Sequence, residues 1–312
     1  MKTMQAVRIH TYGGPEVLKC EEAPLPKPGP GEALVRVHAA GVNPVDWKIR
    51  EGYFKGSLNH SLPLILGWDL SGVVEATGSG VEGLKKDDEV YSRPDIARAG
   101  AYAEYIAVRE TEVALKPKSM GHIHAAAIPL AALTAWQSLF DSAGLSADQK
   151  VLIHAAAGGV GSFAVQLAKW KGAYVIGTTS NRNQDLVRKL GADETLDYQS
   201  TRFEDVVHDV DVVFDTIGGD TQKRSWKVLK KGGILVSIVG PPSAEEAAAH
   251  GARQASVFVQ PSATQLTELA KLVDSGKLKP FVETVLPLSE ARRAHELSQA
   301  GHTRGKIVLR VV

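Results

Sequence analysis

The segment Val151-Leu-Ile-His-Ala-Ala-Ala-Gly158-Gly159-Val160-Gly161, followed by Ser-Phe-Ala-Val-Gln-Leu-Ala-Lys, constrains the fold more than any other stretch of the chain. A short apolar run rich in β-branched residues reads as a strand buried on both faces. The glycines supply a tight turn, and the apolar residues after them recur at helical spacing. A strand, a glycine turn and a helix in that order build the start of a dinucleotide-binding unit. Gly158 lets backbone approach a pyrophosphate, Gly161 lets helix pack closely on strand, and the helix N-terminus offers free N–H groups to the anion. Gly159 and Val160 complete the turn, and Ala156 stands where the fingerprint's first glycine would be. The alternative, glycines that only shape a turn, leaves the next strand tip unconstrained.

That tip is informative. Sites that prefer NAD place an acid about 20 residues after the turn, on the ribose 2′-hydroxyl. Here the chain reads Thr178-Thr179-Ser180-Asn181-Arg182-Asn183, with no carboxylate and an arginine among hydroxyl groups. Such a set suits charge-assisted contact with a 2′-phosphate, so NADPH is expected rather than NADH. Arg182 as an ordinary surface residue is the competing reading.

Further strands are expected at Tyr174–Thr178, Asp211–Phe214, Ile234–Val239 and Ser256–Gln260, separated by helices at Ser162–Trp170, Gln184–Leu190 and Arg224–Leu229. Strands alternating with helices indicate a parallel, doubly wound sheet. The first third is different: short runs at Ala6–His10, Ala33–Ala40 and Ser71–Glu75, broken by Gly and Pro, read as turn-connected strands. After Pro261 come a helix at Thr264–Asp274, an extended piece at Phe281–Leu286, a helix capped by Ser289 and a strand at Lys306–Val311. These are expected to return to the first domain. The division is therefore residues 1–124 with 263–312 as one domain and 125–262 as the nucleotide-binding domain, consistent with about 100 to 200 residues per domain.

Charge excludes some partners. With 36 basic and 35 acidic side chains the formal net charge is +1, which offers no footprint for nucleic acid. The single cysteine, Cys20, cannot form an internal disulfide. No signal-like N-terminus and no run of about 18 apolar residues is evident, so a cytoplasmic chain without a membrane segment is expected.

Six motifs carry a family resemblance: Tyr12-Gly-Gly-Pro-Glu-Val-Leu18, Gly41-Val-Asn-Pro-Val-Asp-Trp-Lys-Ile-Arg50, Gly67-Trp-Asp-Leu-Ser-Gly72, Gly100-Ala-Tyr-Ala-Glu104, Ala155–Gly161 and Gly305-Lys-Ile-Val-Leu309. Across nearly its whole length the chain resembles the quinone oxidoreductase branch of the medium-chain dehydrogenase/reductase superfamily, which includes zeta-crystallin and the enone and alkenal reductases. The resemblance implies a GroES-like β-rich catalytic domain joined to a Rossmann domain. Zinc-dependent relatives carry a cysteine shortly after the Gly41 position and a histidine at the Trp68 position. Asn43-Pro44 and Trp68 stand there instead, and the lobe that holds a structural zinc is missing. His122 and His124 are the only close histidine pair, with no carboxylate or thiol at zinc-site spacing, so no metal is expected.

Without a Lewis acid, hydrogen-bond donors must stabilise charge on a substrate oxygen, which suits reduction of a conjugated C=C or a quinone. Lys48 is the first candidate for that donor and Tyr53 the second, with Asn43 and Asp46 orienting the substrate or the lysine. Each has an ordinary reading: a solvated lysine, a packed loop tyrosine, a helix-capping Asp46. The resemblance further implicates Thr134, Val239, Gly240, Val259 and Gln260 beside the nicotinamide and Tyr198 near the 2′-phosphate. The partners expected are a small enone, alkenal or quinone and a second copy of the chain, paired through the edge strand Ser256–Gln260. Two other functions compete: an NADPH-binding crystallin-like or regulatory protein, and a zinc-free alcohol dehydrogenase.

Overall fold

The alternation after residue 125 forms one six-stranded sheet, in the order Glu194–Asp197, Tyr174–Thr179, Lys150–Ile153, Val210–Asp215, Leu229–Ser237, Arg253–Ser256. Every neighbouring pair in it is parallel. Leu152, Ile176, Val213 and Leu235, from four adjacent strands, pack with Phe203, Trp226 and Ala247 into one apolar cluster. Each large side chain buried there contributes about 1.5–3 kcal/mol by leaving water.

The computed structural model describes residues 2–312. They divide into a first unit made of the chain up to Leu130, Gln260–Gly276 and Pro280–Val312, and a second unit, Ala131–Val259 with Lys277–Lys279. The division falls later than the expected residue 124 because Ala126 and Ala127 pack with Ala39 and Val308 of the first unit.

The first unit holds a seven-stranded sheet. Its path is Val282–Pro287, Lys306–Arg310, Glu32–Val42, Leu70–Thr77, Glu89–Ser92, Val113–Leu115, and Tyr105–Arg109 also pairs with Glu32–Val42. A three-stranded sheet, Lys19–Pro24, Thr3–Ile9 and Leu64–Ile65, accompanies it. Two registers matter for function. The last strand runs antiparallel to Glu32–Val42 with Ile307 opposite Val42, which sets Lys306 across from Asn43. On the other side Ala40 faces Leu70, which brings Asp69 beside Gly41.

Three expectations fail locally. Ser256–Gln260 is not a strand; the edge strand is Arg253–Ser256, ending where its partner Leu229–Ser237 ends. An edge strand is half solvated, so its polar Arg253-Gln254 start lacked the apolar signature that was sought. Ser289 does not cap a helix: it lies inside a 3-10 turn, Leu288–Glu290, and Glu290 is the N-cap of Ala291–Gln299. The helix expected at Arg224–Leu229 is Gly219–Ser225 followed by a 3-10 turn, entered through Gly218 and Gly219 at positive φ. Separately, His122–Ser142 is a 21-residue helical run that is long and apolar enough to cross a membrane by length and composition, although it holds no unbroken run of 18 apolar residues. It is 78% buried within the protein, as a core helix would be.

Candidate active site

In the second unit the strand Lys150–Ile153 leads into a tight turn in which Ala155 takes φ 48° and its carbonyl accepts the Gly158 N–H at 2.9 Å. The helix Gly159–Trp170 follows, with Gly158 as an N-cap that makes no side-chain bond. The first N–H groups of the helix, at Gly159, Val160 and Gly161, are thus left to an external acceptor. A Cβ at Gly161 would lie 2.2 Å from the Ala155 carbonyl oxygen, so the helix sits against the turn with no room for one. Ala156 is fully buried, and a Cβ on neighbouring Gly177 would come within 2.8 Å of its methyl group. Its part is to pack the turn against the next strand. This cradle of backbone donors, closed to side chains, fits a dinucleotide pyrophosphate.

The next strand ends in Thr179, with Ser180 after it and Arg182 exposed on a 3-10 turn. The Tyr198 N–H bonds to the Thr179 carbonyl at 3.1 Å, which gathers Thr179, Ser180, Arg182 and Tyr198 at one strand tip. Val239 and Gly240 follow the strand Leu229–Ser237. Their loop is held by Asp215, a residue sequence reasoning missed. Fully buried, Asp215 accepts the Ile217 and Gly218 N–H groups at 3.0 and 2.8 Å, Gln222 Nε2 at 2.9 Å and Ser237 Oγ at 2.9 Å. Gln222 reaches on to the Gly240 carbonyl at 3.3 Å. Thr134 is buried in the helix Pro129–Trp136, Val259 closes the second unit, and Gln260 falls to the first.

The first unit gathers the other candidates around the end of strand Glu32–Val42. Asn43 caps the helix Pro44–Arg50, and its N–H donates to Asp46 Oδ2 at 2.8 Å. The Tyr102 hydroxyl donates to the same oxygen at 2.7 Å. Asp46 makes no hydrogen bond to Lys48: its Oδ2 serves Asn43 and Tyr102, and its buried Oδ1 has no protein partner. Burial pushes the Asp46 carboxyl up to about 7, against the pull of those two hydrogen bonds. Asn43 turns its own side chain elsewhere, donating through Nδ2 to Asp69 Oδ2 at 2.8 Å and accepting from Lys306 Nζ at Oδ1. Lys306 also meets Asp69 Oδ2 at 3.1 Å and the Val42 carbonyl at 3.2 Å, and the Leu130 N–H reaches Asp69 Oδ1 at 2.6 Å.

Lys48 and Tyr53 lie on a more open flank. The Lys48 ammonium sits 5.6 Å from the centre of the Trp47 ring, half-buried and with no hydrogen-bond partner among the described residues. Tyr53 is 70% exposed and meets Trp47 edge-on at 6.0 Å. Trp68 is fully buried and hydrogen-bonded to the Arg98 carbonyl, so it packs the unit and does not shape a binding surface. Tyr102, Asp69 and Lys306 were not among the expected site residues, although each carries a buried polar group in a motif already noted: Gly100–Glu104, Gly67–Gly72 and Gly305–Leu309. A polar group set inside a largely apolar motif was the available signal.

A stability consequence follows for Asp46. Its folded carboxyl titrates near 7, against about 3.9 in an unfolded chain. Between those values the native state holds more protons, so the protein loses stability as pH rises through that window. Asp46→Asn removes the titration and keeps an acceptor for Asn43 and Tyr102. The melting temperature of this variant relative to wild type is expected to climb from pH 4 to 7 and then level off. Thermal melts across pH 4.5–8.5 check this, and a pH-independent difference would contradict it.

The donor set does not fit zinc. The Asp69 carboxylate is taken by an ammonium, and among the described residues no group of three or more His, Cys, Asp or Glu side chains could hold a metal.

Comparison with known proteins places these features. Residues 29–118 match the model of the alcohol dehydrogenase GroES-like domain, and residues 190–309 that of zinc-binding dehydrogenases. The NADPH-dependent alkenal/one oxidoreductase of Arabidopsis thaliana, a chloroplastic protein, is 38% identical over 99% of this chain and 80% of its own. The quinone oxidoreductase of Coxiella burnetii has 37% identity and a TM-score of 0.94, covering 100% of both chains. The Escherichia coli quinone oxidoreductase, solved with NADPH, has 31% identity and a TM-score of 0.90, covering 98% of this chain and 100% of its own.

Proposed function

Because the chain belongs to the quinone and enone reductase branch of the medium-chain dehydrogenase/reductase superfamily, we propose that it reduces its substrate without zinc, with Lys48 meeting the charge that develops on the substrate oxygen. The chain is an NADPH-dependent oxidoreductase acting on enones or quinones. NADPH, when bound, supplies a hydride to the β-carbon of an enone or to a quinone. One proton then completes the reduction, at the α-carbon of the enone or at the quinone oxygen.

In this reading Gly158, Gly159, Val160 and Gly161 present backbone donors to the pyrophosphate, and Arg182 with Thr179, Ser180 and Tyr198 takes the 2′-phosphate. Asp215 holds the loop carrying Val239 and Gly240 in one arrangement before any ligand arrives. On the substrate side the carrying observation is the uncommitted ammonium of Lys48. Lys306 and Arg50, cations of the same unit, spend their protons on protein partners. A free ammonium beside apolar rings gains strength as an electrostatic donor once substrate excludes water. A cytoplasmic location and a homodimer paired through Arg253–Ser256 belong to the same proposal.

The test is a panel of 2-alkenals, cyclic enones, quinones and simple alcohols, followed by nicotinamide absorbance. Turnover of an enone or quinone with NADPH is expected. NADPH binding without turnover on the whole panel would instead favour a crystallin-like or regulatory protein. Lys48→Met should lower kcat by about 100-fold, the usual loss for one donor to an oxyanion, and leave the KM for NADPH alone. A wild-type kcat in that variant would remove Lys48 from the mechanism.

A further inference from the structure

The buried network at Asn43 has a polarity that its partners fix. A lysine can only donate and an ionised carboxylate can only accept, so the Lys306 contact must be the Asn43 carbonyl oxygen and the Asp69 contact the Asn43 amide nitrogen. All three Lys306 protons are used, on Val42, Asn43 and Asp69, so this ammonium cannot itself meet a ligand. Asp69 accepts three hydrogen bonds in the same network, from Leu130, Asn43 and Lys306. One group is left over. Asn43 Nδ2 carries two hydrogens and only one has an acceptor among the described residues, although Asn43 is just 3% exposed.

A buried donor without an acceptor is costly, and it persists where surrounding structure holds it. Here the hold is strong. A Cβ on Gly41 would lie 2.5 Å from the Ala126 carbonyl and 2.8 Å from Asp69, so strand and network interlock with no slack. The Lys306 charge on the amide carbonyl also draws electron density from the N–H, strengthening the remaining hydrogen as a donor.

The geometry points to Asn43 Nδ2 as a second donor to the developing oxyanion, with Lys306 and Asp69 as positioning residues that orient and polarise it. This rests on the reductase reading above and adds to Lys48 a donor that needs no reorganisation when charge appears.

The double variant Asp69→Asn/Lys306→Met tests it in the full-length protein. Both charges go together, so neither member of this ion pair is left without the other. The amide introduced at position 69 presents an N–H₂ where a carboxylate oxygen stood, so the Asn43 amide turns over and offers an oxygen where its free N–H had been. With the best enone or quinone, kcat should fall about 100-fold. The NADPH affinity measured by fluorescence and the KM for NADPH should stay within about twofold, because the pyrophosphate cradle and strand tip are untouched. The isotope effect on kcat with NADPH deuterated at C4 should rise as hydride transfer becomes limiting. A merely structural role would not produce that combination. Asn43→Ser keeps a good helix cap and loses the amide, and it should show the same loss, which decides the matter if the double variant does not fold. A folded variant of either kind with kcat within threefold of wild type overturns this proposal alone. A wild type that turns over nothing overturns the reductase reading and this proposal with it.

Discussion

Gly161→Ala is expected to weaken NADPH binding by at least about 100-fold, the scale on which misplaced binding groups are felt. The added methyl would sit 2.2 Å from the Ala155 carbonyl oxygen and 2.9 Å from the Ala155 carbonyl carbon and the Ala156 Cα, all backbone atoms. No side chain can rotate away to relieve this. Ala155 is already at φ 48°, a region non-glycine residues seldom occupy, so the turn has little freedom left. Either the helix Gly159–Trp170 tips off the strand or the turn reopens, and both displace the N–H groups meant for the pyrophosphate. The strain itself should cost about 1–3 kcal/mol, typical of overpacking, so the variant should still fold. Gly158→Ala is the internal control: its methyl would meet only the Ala155 oxygen, at 3.2 Å, and a loss smaller than tenfold is expected. Fluorescence titration of both variants with NADPH measures the difference. An unchanged dissociation constant for Gly161→Ala would show that the cradle does not hold the cofactor.

The same segment explains what the sequence could reveal. A strand, its glycine turn and the following helix are contiguous, and their chemistry depends on backbone spacing that the residue order states directly. The position of Arg182 was readable for a related reason, since it follows a strand whose apolar run could be counted, whereas Tyr198 came only from the family resemblance, because its strand Glu194–Asp197 has no apolar run. The network around Asn43 was not readable because it is assembled by register. Asn43 finds Asp69 across 26 positions and Lys306 across 263, and neither separation leaves a periodic trace. Asp46 shows the local limit. Its spacing from Asn43 announced a helix cap, but the Tyr102 hydroxyl that completes its environment lies 56 positions away. Secondary structure failed where an element departs from the burial its type usually has: the polar edge strand at Arg253 and the 3-10 turn containing Ser289.

Lys306→Met alone should lower stability by about 3–5 kcal/mol, as expected when one partner of a buried ion pair is removed. Lys306 and Asp69 are almost completely enclosed, with side-chain exposures of 3% and 0%. Taking away the ammonium leaves the Asp69 carboxylate with the Leu130 and Asn43 N–H groups but no cation in contact with it, and the buried Arg93 guanidinium acts on it without a direct bond. Methionine fills nearly the same volume, so the loss reports electrostatics and not a cavity. At about 2–4 °C per kcal/mol, the melting temperature should drop by on the order of 10 °C. The contrast with Asp69→Asn/Lys306→Met carries the inference, because that pair removes both charges and should melt within a few degrees of wild type while losing turnover. Stability and catalysis then separate: the single variant is unstable for want of a counter-ion, and the double variant is stable but slow for want of an oriented amide. Differential scanning fluorimetry of the three proteins decides it. A single variant melting within about 2 °C of wild type, under one kcal/mol on that scale, would mean that Lys306 does not neutralise Asp69. The electrostatic account of how Asn43 is held would then fall as well.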